Sequence, residues 1–393
     1  MSTFLVSLIF AAWTWARCSL AHLQGNFIGN GTVILNERAN LIANWGMARD
    51  LEYLGPQKRS SPEYEPHQPN LLPTSVPLEF QKTRKDFYWL APVEIGTPAR
   101  ALKLMVHTDF YIFWAKYTSD ESKRGKYHHL QYINSPEFAG FEYLDRIKLG
   151  EINGNVRFIA ATWAKGLKCD GVLGLQLKNE EGGLPGIVPY FLSKEAKPHP
   201  VFALYLGLTG SQLHIGGPHA HYYRDRIEYH GVSKFPRYAA FWRWQIAGGS
   251  IHVNGRKNVV SGITTGFDSS TRFIYGPASL VGEIYKELQL EGHSNAPTKH
   301  TFPCNLKPVI KFQWNNGNEW VLSPGEFNLG PVHVGSKLCK GVIKGDDFDD
   351  GWSFGTSFFK SVYTVFEMDQ KNENHRMGFA ELPPPPPIDG ISH

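Results

Sequence analysis

Cysteine is scarce in this chain: there are four in 393 residues, and no two stand in Cys-x-x-Cys spacing. That excludes the thiolate zinc sites whose ligands come in such pairs. A charge of one sign is lacking as well. The 40 Lys and Arg offset 36 Asp and Glu to a net +4, and the basic residues are scattered, so nothing supports a nucleic-acid partner. Long apolar runs are missing too. The longest opens the chain, within "MSTFLVSLIFAAWTWARCSLAHLQ". At about a dozen residues it is too short to cross a ~30 Å bilayer core, and it has the length of a signal-peptide core. Ser19 and Ala21 are small residues where cleavage needs them. Residues 1–21 are therefore expected to be a signal peptide, leaving a secreted, extracellular chain with no membrane attachment.

Gly (39) and Pro (26) are plentiful, and long periodic apolar stretches are few, which reads as strand and turn. Residues 22–85 are polar and punctuated, as in "LGPQKRSSPEYEPHQPNLLPTSVP". They read as a propeptide-like segment and linker with a dibasic Lys58-Arg59, a short amphipathic helix before it, and a glycosylation sequon at Asn30. From Phe87 the texture changes. "VEIGTPARALKLMV", "FEYLDRIKLGEINGNVRFIAATW", "VFALYLGLTGSQLHIGG" and "WQIAGGSIHVNG" read as short strands joined by hairpins. One helix is predicted at "PASLVGEIYKELQ", with Pro277 in its first turn and Leu280, Ile284 and Leu288 four apart. Residues 383–393 begin with five prolines, a polyproline II tail. In an oxidising compartment Cys304 and Cys339 could close a loop. Cys18 leaves with the signal, and Cys169 remains as a buried free thiol.

Two stretches share one pattern. "KLMVHTDFYIFWA" and "ITTGFDSSTRFIYGP" each run from a strand into a titratable residue and a hydroxyl residue, and each is followed later by a Gly-containing apolar turn, "DGVLGL" and "WSFG". That is the mark of a duplicated lobe. Together with "EIGTPAR", "LQYINSPEFAGF", "LSPGEF" between Cys304 and Cys339, and the C-terminal "WSFGTSFFKSVYTVFEMDQKNENHRMGFAEL", these markers follow one order. The chain resembles the pepsin-like aspartic peptidases, particularly the secreted fungal branch, over most of residues 86–382. The resemblance implies an all-β, bilobal fold with a central cleft and a few short helices. Residues 86–205 would form the N-terminal lobe with its flap, and 206–382 the C-terminal lobe. It implies no cofactor and no metal, a peptide or protein ligand in the cleft, and a monomer. It places Tyr132 as the flap tyrosine and Trp114, seven residues after His107, where the family's Trp follows its first catalytic Asp, the two holding the flap over the cleft as substrate-binding residues.

In this family each loop is written Asp-Thr/Ser-Gly followed by Ser or Thr. One Asp per lobe shares a proton and activates water, because two carboxylates ~3 Å apart cannot both ionise. Here the first loop carries His107 in the Asp place, keeps Thr108, has Asp109 for Gly and Phe110 for the trailing hydroxyl. The second keeps Asp268, Ser269 and Thr271 and has Ser270 for Gly; Thr356 stands where many relatives carry Asp. Three readings follow. In the first, the site is dead: His107 and Asp268 settle as an ion pair, the imidazole's pKa raised and the carboxylate's lowered, and the side chains of Asp109 and Ser270 crowd the dyad. In the second, a His107/Asp268 pair works as an acid endopeptidase. A histo-aspartic relative is similar in carrying His here and is active, but its loop keeps Gly and the trailing hydroxyl. In the third, Asp109 serves as surrogate carboxylate, which a shift of about 6–7 Å along the strand disfavours. The dead site is the reading adopted: a pseudopeptidase that binds without turnover.

His107 and Asp109 also offer two metal ligands on one face, but no third is evident. His128, His129, His219 and His221 lie in turn-like polar stretches and read as solvated surface histidines.

Overall fold

The structure is a computed structural model. It describes residues 32–35, 73–82, 87–118, 120–132, 137–177, 186–187, 200–207, 210–233, 243–288, 300–346, 351–369, 371 and 374–384, with backbone alone for 32–35 and 131–132. The signal segment, Asn30, the dibasic pair, the amphipathic helix before it and most of the proline tail lie outside the described residues.

The described residues form four sheets. A nine-stranded sheet builds the N-terminal lobe. Its order runs Thr32–Leu35, Tyr127–Tyr132, Glu137–Leu149, Ile152–Lys165, Trp114–Lys116, Gly171–Gly174, Arg100–His107, Phe87–Ile95, Glu79–Lys82, and Glu137–Leu149 also pairs with Phe87–Ile95. A seven-stranded sheet builds the C-terminal lobe: Trp320–Leu322, Ile310–Trp314, Gln245–Val253, Arg256–Phe267, Gly351–Phe354, Ile274–Pro277, Ile343–Asp346. A six-stranded sheet joins the two, taking strands from before the first lobe (Thr74–Pro77), from the junction (Val201–Tyr205, Gln212–Ile215) and from the second half (Arg224–Gly231, Tyr363–Glu367, Arg376–Glu381). A three-stranded sheet of Thr301–Pro303, Leu338–Gly341 and Asn328–Pro331 completes the fold.

The periodicities explain these elements. Ile310–Trp314 alternates buried and half-buried side chains, as a strand with one face on a core must. The predicted helix forms as Ala278–Leu288 directly after Pro277 and buries Val281, Ile284, Tyr285 and Leu288; Leu280 packs at the margin of the same core. Cys304 and Cys339 are joined, with Cα atoms 4.9 Å apart. Cys169 is a buried free thiol. One correction concerns the segment 22–85. Thr74–Pro77 pairs with Gln212–Ile215, and Glu79–Lys82 pairs with Phe87–Leu90, so its last part is integral to two sheets.

The two lobes repeat one local motif. Arg100–His107 runs parallel to Gly171–Gly174, with His107 opposite Gly174. Arg256–Phe267 runs parallel to Gly351–Phe354, with Phe267 opposite Phe354. Gly174 lies against the carbonyls of Phe110 and Ile112; Gly355 lies against those of Thr271 and Phe273. In both lobes a Cβ at the glycine would strike the loop's backbone, which is why the turn behind each loop needs Gly. These are the residues three and five places after His107 and after Asp268, so the duplication holds at the level of single carbonyls.

Candidate active site

The two loops meet through their hydroxyl residues. The Thr108 amide donates to Ser269 Oγ at 3.0 Å, and the Ser269 amide donates to Thr108 Oγ1 at 3.0 Å. Thr108 Oγ1 in turn donates to the Phe267 carbonyl at 2.8 Å, and Ser269 Oγ to the Val106 carbonyl at 2.7 Å. All four bonds cross from one lobe to the other, and both side chains are buried. This reciprocal clasp fixes the ends of the two strands face to face. It brings His107 Nδ1 to 3.5 Å from Asp268 Oδ1.

That separation is long for a charge-assisted bond, which runs ~2.7–2.9 Å. Asp268 Oδ1 also accepts from the Ser270 amide at 2.8 Å. The expected contact is made at this length, but the imidazole shifts in the opposite direction to the one expected. Burial drives the His107 pKa below its ordinary value; the Asp268 and Asp109 carboxylates pull it up, and Arg243 pushes it down. Desolvation of a charged imidazole outweighs attraction to a carboxylate that is not in close contact. Phe110, in place of a hydroxyl, adds an apolar wall: its ring centroid is 5.4 Å from that of His107.

Asp109 does not crowd the dyad and is not a surrogate for it. Its carboxylate turns to Arg243, whose Nε donates to Oδ1 at 2.8 Å and whose Nη2 donates to Oδ2. Gln176 Nε2 adds a donor at 3.3 Å. Arg243 lies just before strand Gln245–Val253 of the other lobe, so this is an ion pair across the cleft. Both side chains are nearly covered, at 7% and 12% exposure. Burial pushes the Asp109 carboxyl up and the Arg243 guanidinium pulls it back. The fork-to-fork geometry is what makes an Arg–carboxylate pair tolerable away from water. Neither Asp109 nor Ser270 has the positive φ that would demand Gly, so both loops accept their substitutions without backbone strain.

The remaining predicted residues fall as follows. Thr271 Oγ1 accepts from the Phe273 amide at 3.3 Å, and the Thr271 carbonyl accepts from the Thr356 amide at 2.7 Å. Trp114 is fully buried and stacks on Phe138 with centroids 4.3 Å apart. Phe138 sits on the return strand of the hairpin whose outgoing strand ends at Tyr132, so Trp114 packs against that hairpin. The Tyr132 side chain lies outside the described residues. Among the described residues no group of three or more His, Cys, Asp and Glu is arranged to hold a metal. The surface reading of the histidines fails at His128, which is 2% exposed and held by Glu142 at 2.7 Å. His129 is half-buried against Glu137 at 2.6 Å, and His219 is half-buried and caps a 3-10 turn; His221 is exposed.

Arg243 is the site residue that sequence reasoning missed. Its local hint is a lone cation inside the aromatic run Phe-Trp-Arg-Trp at 241–244. A buried Asp in a glycine's place requires such a partner, but the partner is 134 residues away.

Comparison with known proteins gives one answer. The family model described as eukaryotic aspartyl protease matches residues 88–382. The chain is 31% identical over 188 residues to an aspartic protease of Phaffia rhodozyma, an alignment covering 46% of this chain and 44% of the relative, so less than half of that relative's length is matched. It is 24% identical over 313 residues to endothiapepsin of Cryphonectria parasitica, covering 72% and 73% of the two chains. The solved structure of the aspartic proteinase from Irpex lacteus is similar with a TM-score of 0.64 at 17% identity, covering 79% of this chain and 97% of that one; this likeness concerns the fold.

Proposed function

The chain belongs to the eukaryotic aspartyl protease family, and from that premise we propose that it is a pseudopeptidase: its cleft receives a peptide or protein segment and does not cleave it. The observation that carries this reading is the make-up of the first catalytic place: a buried His107 stands for the Asp, 3.5 Å from Asp268, with the Phe110 ring against it. Peptide hydrolysis by a shared-proton dyad needs one group to take a proton from water and another to give one to the carbonyl oxygen. With Asp268 as the carboxylate, the donor would have to be His107, and burial opposes the charged form of that imidazole. The Asp109–Arg243 pair stands where the family has a glycine and open backbone, and Phe110 supplies no hydroxyl.

The intact Thr108–Ser269 clasp supports a cleft still shaped for a ligand. The proposal includes secretion through residues 1–21, a monomeric state, and removal of an N-terminal segment. Sheet pairing of Thr74–Lys82 favours a cut after Arg59 over one after Arg84, because the later cut would detach two paired strands from the chain.

The test is digestion of denatured protein between pH 3 and 7 by the full-length chain and by the chain cut after Arg59. No turnover is expected, and none should appear or vanish with Asp268→Asn. Turnover that Asp268→Asn abolishes would sink the proposal and leave an active His107/Asp268 endopeptidase. Repair should need five changes: His107→Asp, Asp109→Gly, Phe110→Ser, Ser270→Gly and Arg243→Met. The last prevents a guanidinium from being left buried without its carboxylate. Ligand capture that survives Tyr132→Ala would move binding away from the flap-covered cleft.

A further inference from the structure

Thr32–Leu35 stands well before the rest of the paired chain, yet it runs parallel to the outgoing strand of the flap. Thr32 lies opposite His129, Val33 opposite Leu130, Ile34 opposite Gln131 and Leu35 opposite Tyr132. That flap strand is paired on its other side with the return strand, Tyr127 opposite Phe141 through Gln131 opposite Glu137. The four residues therefore cover what is otherwise the outer edge of the nine-stranded sheet.

The edge itself is unguarded. Tyr-His-His-Leu-Gln-Tyr contains no Pro, Lys, Arg, Asp or Glu, the residues that keep open edges from recruiting strands. Its histidines are engaged within the hairpin, His128 with Glu142 and His129 with Glu137, and Leu130 is buried. What an uncovered edge of this kind leaves over is main chain: a row of N–H and C=O groups that must find partners. The occupant has the matching character. Thr-Val-Ile-Leu puts three β-branched residues in a row, within a region otherwise too polar and Pro-rich to build a core.

We propose that the outer edge of flap strand Tyr127–Tyr132 is a strand-addition site, that Thr32–Leu35 is its occupant in the uncut chain, and that loss of the N-terminal segment opens this edge to an extended, β-branched peptide running parallel to it. Main-chain hydrogen bonds supply the affinity, and the register supplies the selectivity. The return strand is already paired with Ile152–Lys165 along its length, so what the occupant restrains is the outgoing strand Tyr127–Tyr132, which is otherwise held on one side only. The site uses neither His107 nor Asp268 and stands apart from the fate of the cleft.

Hydrogen exchange on the full chain tests it. Alternate amides of a strand face opposite sides, so the double change Val33→Pro/Ile34→Pro removes the donor facing the flap in either phase. Exchange at residues 128–132 should then accelerate about tenfold, the equivalent of one or two hydrogen bonds, while Gln245–Val253 keeps its rate. A synthetic peptide of residues 29–38 added to this variant should restore protection at 128–132, and a scrambled peptide should not. Unchanged exchange at 128–132 overturns the cis pairing, as does equal acceleration at Gln245–Val253. Failure of the native peptide to restore protection, or restoration by the scrambled one, overturns the addition site.

Discussion

Replacing Arg243 with Met should be among the most damaging single changes near the cleft, and the damage should depend on pH in a sense the structure fixes. Arg243 is the forked partner of Asp109 across the two lobes. Met fills most of the volume of the Arg stem but leaves the carboxylate buried, with the Gln176 amide beside it. Breaking a buried pair on one side costs about 3–5 kcal/mol, because an uncompensated charge remains. The carboxylate has an escape: it can take up a proton. Burial already pushes its pKa above the ordinary 3.8, and in the variant the guanidinium no longer opposes that push. A carboxyl whose folded pKa is raised binds its proton more tightly in the folded state. Folding stability is then greatest in acid and falls as pH climbs from the unfolded value towards the folded one, by ~1.4 kcal/mol per unit.

The penalty of Arg243→Met relative to the parent should therefore be small near pH 4 and close to its full size at pH 7. Urea midpoints at both pH values give this directly. Adding Asp109→Leu should recover most of the loss, since a buried pair replaced on both sides is near neutral. The double-mutant cycle should show a coupling of about 2–3 kcal/mol. A penalty under ~1 kcal/mol at pH 7, a penalty equal at pH 4 and 7, or a coupling near zero would refute the assignment of Asp109 and Arg243 as one buried unit.

Three further outcomes follow from the same geometry. Thr108→Val removes the acceptor of the Ser269 amide and the donor to the Phe267 carbonyl; two buried backbone groups left unpaired should cost about 2–5 kcal/mol by chemical denaturation. His214, buried with Nδ1 2.8 Å from the Tyr363 hydroxyl, has its pKa lowered to about 3 by desolvation. Its NMR signals should show no titration between pH 7 and 4, and its share of stability, complete above ~6.5, should be lost progressively as pH falls towards that value. Replacing Cys304 and Cys339 by Ser opens a loop with a sequence separation of 35 and should lower stability by roughly 3–4 kcal/mol on loop-closure entropy, read as a drop in Tm that reductant cannot deepen.

Much of this fold is legible because its signals are local. "DGVLGL" and "WSFG" announce glycines, and the structure sets Gly174 and Gly355 against loop carbonyls at the same offset in each lobe. Strand periods place Arg100–His107 and Arg256–Phe267, and the hydroxyl after each points to the clasp. The N-terminal region is less legible, since its composition excludes a core but does not forbid a strand that pairs with an edge. The direction in which its surroundings shift His107 is the clearest failure. Reading from residue types sets a His beside an Asp and expects attraction to charge both. Whether attraction or desolvation wins depends on burial and on a separation of 3.5 Å, and neither is written in the local sequence.

Asp109 shows why a list of lost catalytic residues misdescribes such a site. Taken alone, Asp for Gly at the crowded centre of a dyad is a defect, and a defect of that kind should leave a buried carboxylate without a counterion. The structure gives it one, bidentate, from the opposite lobe. The clasp beneath it is complete, and no strained backbone is needed to hold it. The matching cation stands 134 residues away in sequence. The pair adds a contact between the lobes to the one that the Thr108–Ser269 clasp already makes. On that argument the centre is a rebuilt contact, and restoring the family's chemistry means dismantling the ion pair before any carboxylate can be added back.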